Sequence, residues 1–179
     1  MRPSHGPSYI VLFLLATSSC SASILEDACK TFSAARPDIG YGYCIEFFQA
    51  NKDSTTADKR GLATIATNIA RATAMNTRKL SAALRNMVKD QKTRECLGDC
   101  AVLYYGIVGR LDEAAKGITS GRSQGLQDAV WSLSAALNVP ETCEEGFRKL
   151  GGKSTLAAAD SEFSKEVSIA LVLARTLSR

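Results

Sequence analysis

Cys96-Leu97-Gly98-Asp99-Cys100-Ala101-Val102-Leu103-Tyr104-Tyr105-Gly106-Ile107-Val108-Gly109-Arg110-Leu111 is the stretch that decides the fold. Leu97, Cys100, Ala101, Tyr104, Ile107, Val108 and Leu111, continuing to Ala115 and Ile118, recur at steps of three and four. That is the period of one face of an α-helix. The same rhythm occurs three more times. It runs from Leu62, Ile65, Ala66 and Ile69 through Leu80, Leu84, Met87 and Val88. It returns at Leu126, Ala129, Val130, Leu133, Ala136 and Leu137, and again at Leu156, Ala159, Phe163, Val167, Ala170, Leu171, Ala174 and Leu177. No proline stands between Pro37 and Pro140, so long helices are allowed.

Four amphipathic helices with short connections bury their stripes best as an antiparallel up-down bundle over 55–179. The first helix starts at Thr55-Thr56-Ala57-Asp58. Breaks are expected near Asp90-Gln91-Lys92, at Gly117 to Gly125, and at Asn138-Val139-Pro140. Ser154 is expected to cap the last helix. Residues 24–51 stand apart as a helical hairpin turning at Ala35-Arg36-Pro37-Asp38. The expected class is therefore all-α: a four-helix bundle preceded by an N-terminal hairpin.

Residues 1–22 read as a signal peptide. Arg2 supplies the positive end, Tyr9 to Ala16 the apolar core, and Cys20-Ser21-Ala22 a small-residue cleavage site. The apolar run is short of the roughly 20 residues a bilayer needs. The mature domain, 23–179, is expected in the extracellular space, with no membrane segment once the leader is gone. Six cysteines suit an oxidising compartment. Cys20 goes with the leader, leaving Cys29, Cys44, Cys96, Cys100 and Cys143. An odd count leaves one thiol over or free for another chain, and the sequence does not fix the pairing. The formal charge of +4 over the whole chain is mild and of interspersed sign, so nucleic acid is not an expected partner.

The only histidine, His5, lies in the leader. A Ser-His-Asp or Cys-His catalytic pair needs that base, and histidine metal ligands are excluded on the same ground. Gly151-Gly152-Lys153-Ser154 lacks the first glycine of a phosphate loop, since Phe147 stands there. Adjacent acids such as Asp112-Glu113 and Glu144-Glu145 point apart on a helix and read as solvated surface. Trp131 adjoins the third stripe and is expected to be partly buried. Gly98, Gly106 and Gly109 are expected to permit close helix contact. No catalytic residue, metal or cofactor is expected, and the chain reads as a protein that works by surface contact.

Several phrases together resemble the plant invertase and pectin methylesterase inhibitor family across the whole mature chain. Cys29-Lys30, Pro37, Tyr41 and Cys44 are similar to its hairpin, and Thr56-Ala57-Asp58 with Gly61-Leu62 to the opening of its first bundle helix. Leu97, Asp99-Cys100, Leu103-Tyr104, Leu111 and Ala114 resemble its second helix. Ser132 to Leu137 followed by Thr142-Cys143-Glu144-Glu145-Gly146-Phe147 resembles its third. The hairpin resembles most the subgroup of plane-tree pollen allergens and proteins labelled as invertase inhibitors.

The resemblance implies disulfides Cys29–Cys44 and Cys100–Cys143, with Cys96 the leftover thiol; that thiol is open to three roles, an inert buried group, a competitor for Cys143 or a route to a disulfide-linked dimer. It implies a secreted, cell-wall inhibitor that covers the active-site cleft of a carbohydrate-active enzyme. For pectin methylesterase, the family lays bundle faces across the cleft and uses the threonine before the fourth framework cysteine, here Thr142. For acid invertase, it presents Pro-Lys-Phe between the second and third bundle helices. That phrase is absent here; Arg122, Ser123 and Gln124 occupy the place, with Arg122 the candidate cation. The lean is toward pectin methylesterase, with acid invertase the alternative. A third reading, a non-inhibitory pollen-type protein, requires an apolar cavity in place of a packed core.

Overall fold

The computed structural model describes residues 24–178, so the leader reading lies outside the described residues. Helix α1 covers 24–35, and α2 covers Gly40–Gln49. A short 3-10 turn at Lys52–Thr55 leads into α3 (Lys59–Met87), α4 (Gln91–Ser120), α5 (Ser123–Ala136), α6 (Asn138–Lys149) and α7 (Ala157–Leu177). Helix α3 packs on α4 and α7, α4 also on α5 and α6, and α5 and α6 on α7. The result is the expected antiparallel bundle, with its third member made of α5 and α6 in series.

Helix starts follow from capping chemistry. The Asp58 Oδ1 accepts from the Gly61 amide at 2.7 Å, and Asp90 Oδ2 accepts from the Thr93 amide at 2.8 Å. Ser154 differs from its expected role. Its hydroxyl accepts from the Leu156 amide, which shapes the turn, and α7 begins after Leu156 with no side-chain cap. The break expected at Asn138–Pro140 is only a junction. Leu137 keeps helical dihedrals, and Pro140 falls in the first turn of α6, where it has no helical hydrogen bond to lose. The break expected between Gly117 and Gly125 falls at Gly121, whose φ of 64° is the left-handed conformation glycine adopts freely, while Gly117 itself lies inside α4.

The α3–α4 pair has a regular register. Arg85 lies against Gly98, Arg78 over the Tyr105 ring, Arg71 beside Asp112, and Thr64 beside Thr119. Each partner advances by seven residues, the repeat of coiled-coil seams. Inside that seam α3 contributes mainly small side chains, Ala63, Ala66, Ala70 and Ala74, against Tyr104, Ile107, Leu111 and Ile118 of α4. The α3 stripe does not continue inward as expected. Leu80 and Met87 face solvent, and the buried places go to Thr77 and Ser81. Their hydroxyls are satisfied by the carbonyls of Thr73 and Leu97.

Cys29 and Cys44 form a disulfide with Cα atoms 5.5 Å apart, and both are fully buried with Phe32 and Phe48 in the main core. The hairpin docks on α7: Tyr43 donates to Glu162 at 2.7 Å, and Arg36 to the Ser168 hydroxyl. Helix α7 is thereby covered on several sides, and Val167 to Leu171 are buried without interruption.

Candidate functional site

Close helix contact occurs where it was not expected. A Cβ on Gly117 would fall on the carbonyl oxygen of Gly125, and one on Gly125 would lie 3.1 Å from Gly117 Cα. The two glycines let α4 and the start of α5 cross backbone to backbone. Gly106 and Gly109 meet nothing within 4 Å, and Gly98 meets only the Arg85 side chain. Gly106 and Gly109 belong to the outer face of α4, and Gly98 to its border with α3.

At the N-terminal end of α4, Cys100 is bonded to Cys143 of α6, with Cα atoms 5.3 Å apart. Thr142, next to that bond, is exposed, and its hydroxyl donates to the Asn138 carbonyl at 2.8 Å. It lines a cleft of about 380 Å³ with Lys92, Glu95, Asp99, Leu103 and Lys149. Cys96 is unpaired and partly buried in the same cleft. Gly146 makes room for it, since a Cβ there would come within 2.8 Å of the Cys96 Sγ. Burial, then the charges of Asp99 and Glu144, push the thiol pKa up, which keeps it protonated and a weak nucleophile.

At the other end of α4, Arg122, Ser123 and Gln124 are exposed at the turn into α5. The Gln124 amide donates to Asp128 one turn on, at 2.9 Å. The Arg122 side chain makes no cap, and Gly121 before it is packed against the Arg60 guanidinium. Twenty residues of α4 separate Cys100 from Ser120, about 30 Å at 1.5 Å per residue. Thr142 and Arg122 are therefore two separate surfaces. Between them runs the open face of α4, where Val102 and Tyr105 are 69% and 65% exposed. Trp131 on α5 is 78% exposed, contrary to the partial burial expected of it. Sequence reasoning had no signal for these exposures beyond their phase on the helix wheel.

The acidic pair Glu144-Glu145 divides. Glu145 meets Arg148 and Lys149 at the surface, as a solvated residue does. Glu144 turns inward: its Oε1 is buried and has no partner. So is Oδ2 of Asp160, while Tyr104 donates to Oδ1 of Asp160 at 2.5 Å. Among the described residues no group of three or more His, Cys, Asp or Glu is placed to hold a metal ion.

A sequence model of the plant invertase/pectin methylesterase inhibitor family matches residues 23–173, from the start of the hairpin into the last turns of α7. The chain belongs to that family. Among curated relatives, a "Putative invertase inhibitor" of Platanus acerifolia is 29% identical over 93% of this chain and 92% of its own. A "Pectinesterase inhibitor" of Actinidia deliciosa is 29% identical over 75% of this chain and 71% of its own. This member of the family also shares its fold with a crystal structure of a mutant pectin methylesterase inhibitor from Arabidopsis. The TM-score is 0.66 at 23% identity, over 78% of this chain and 91% of that one. The relatives are named as inhibitors of enzymes of two kinds, and both kinds match this chain in sequence.

Proposed function

We propose that this chain is a secreted inhibitor that covers the active-site cleft of a plant cell-wall enzyme, pectin methylesterase in the first place. The observation that carries the reading is the open face of α4, which exposes Val102 and Tyr105, together with the Thr142 cleft that the same helix lines. Aromatic and arginine side chains on a rigid support are the usual anchors of an interface, and Arg78 already lies 4.7 Å from the Tyr105 ring centroid. The seam with α3 and the Cys100–Cys143 bond hold this face in place before binding, which limits the ordering cost. A buried core of Tyr104, Phe163, Leu111 and Leu133 fills the bundle and speaks against a ligand-carrying role. Acid invertase is the second reading. What favours it is Arg122, an exposed cation at a helix turn that suits a pair of catalytic carboxylates.

The test is residual activity of pectin methylesterase and of acid invertase, assayed in parallel at acidic pH with the purified mature protein. Inhibition of the esterase that weakens at least tenfold with Thr142→Arg, and little with Arg122→Glu, supports the first reading. The reverse pattern supports invertase. Inhibition of neither enzyme overturns both.

A further inference from the structure

Two residues that each have a buried carboxyl oxygen without a partner line the same cleft. Glu144 of α6 and Asp160 of α7 both line a cavity of about 470 Å³ with Arg36, Glu141, Ser161 and Ser168. Asp160 is 2% exposed. Its Oδ2 and the Oε1 of Glu144 accept from no donor among the described residues. Leaving two such oxygens bare is costly, and two carboxylates on one cleft also repel. A proton on Asp160 removes both penalties, because the protonated acid donates to Glu144.

Among the described residues, the neighbouring side chains offer no other donor. From α4, Tyr104 is committed to Oδ1 of Asp160, and the Cys96 thiol is held protonated. From α6, Glu141 adds a further negative group. The cation at the cleft, Arg36, is occupied by both oxygens of Asp38 and by Ser168. No titratable group of α5 lines the cavity. Burial, then the interaction with Glu144, raises the Asp160 pKa to about 7 against the opposing Tyr104 bond.

We propose that a proton shared between Asp160 and Glu144 latches α6 onto α7, and that loss of that proton lets α6 swing on its tether to α4. The tether is the Cys100–Cys143 bond, so opening is a pivot of α6, which carries Thr142. The effect of that pivot on target binding rests on the function proposed above; the latch itself does not.

Hydrogen exchange of the α6 amides reads the latch directly, without any target enzyme. After correction for intrinsic rates, protection of α6 should fall about tenfold or more between pH 5 and pH 8, the factor that one pKa unit of linkage supplies. Asp160→Asn should flatten this fall, because its amide donates to Glu144 at every pH. Glu144→Gln, donating the other way, tests the same bond if Asp160→Asn does not fold. Glu166→Gln is the control, and the fall should survive it. Protection that is flat with pH in the unaltered protein, a fall undiminished in both latch variants, or a fall abolished by the control would each overturn the proposal.

Discussion

Replacing Gly117 by alanine should destabilise the protein, and replacing Gly106 should do the opposite, although both lie inside α4. The helix itself favours alanine over glycine by about 1 kcal/mol at either position. At Gly106 the new methyl meets nothing within 4 Å, so the full gain is expected. At Gly117 the methyl would overlap the Gly125 carbonyl oxygen and lie 3.1 Å from its carbonyl carbon. That obstacle is backbone at the first turn of α5, so it cannot rotate aside as a side chain can. Overpacking of this kind costs about 1–3 kcal/mol, and a backbone obstacle belongs to the upper half of that range. The net change is a loss of about 1–2 kcal/mol for Gly117→Ala, against a gain of about 1 for Gly106→Ala. For a chain of this size that is a fall in Tm of about 2–8 °C against a rise of about 2–4 °C. Urea and thermal unfolding followed by circular dichroism measure both. If Gly117→Ala were as stable as Gly106→Ala, the α4–α5 crossing would be looser than described and the reasoning from close approach would be wrong.

Other expectations follow from the same structure. Removing both Cys29 and Cys44, as a double alanine variant, should cost about 3 kcal/mol in the chain-entropy account of a loop of this size, read from the urea midpoint. Ser81→Ala removes a buried bond to the Leu97 carbonyl and should cost about 1 kcal/mol in the same assay. Glu166 is buried on α7, and that burial raises its pKa to about 7 from an ordinary value of 4.5. A carboxyl with a raised pKa binds its proton more tightly when folded. Its stabilising contribution is therefore complete below about pH 4.5 and is lost as pH rises through about 7. Glu166→Gln should flatten that decline by about 1–2 kcal/mol, after discounting for partial solvent screening, in urea melts taken from pH 4 to pH 8.

The sequence makes the bundle legible because its signals are local. Asp58 and Asp90 mark helix starts, and the apolar period along α4 and α7 locates their inner faces. What is not legible depends on which helices become neighbours. Asp160 and Glu166 look like the polar side of an amphipathic helix, yet both are buried because the hairpin and α6 close over α7 as well as α3. Trp131 adjoins an apolar stripe but lies on the outer side of α5, where no helix among the described residues covers it. Glycine is equally ambiguous. Gly106 and Gly117 read alike in sequence, and only the approach of α5 makes one a contact and the other open surface.

The seven-residue register of α3 and α4 has a consequence for how this protein can vary. Thr64, Arg71, Arg78 and Arg85 meet Thr119, Asp112, Tyr105 and Gly98 in strict counterpoint. A single residue gained or lost within that span turns everything beyond it by about 100° around the helix. Val102 or Tyr105 would then be carried toward the core on one side of the change, and leucines toward solvent. The face offered to a partner is free to change letter by letter, but the number of letters is fixed by the seam behind it.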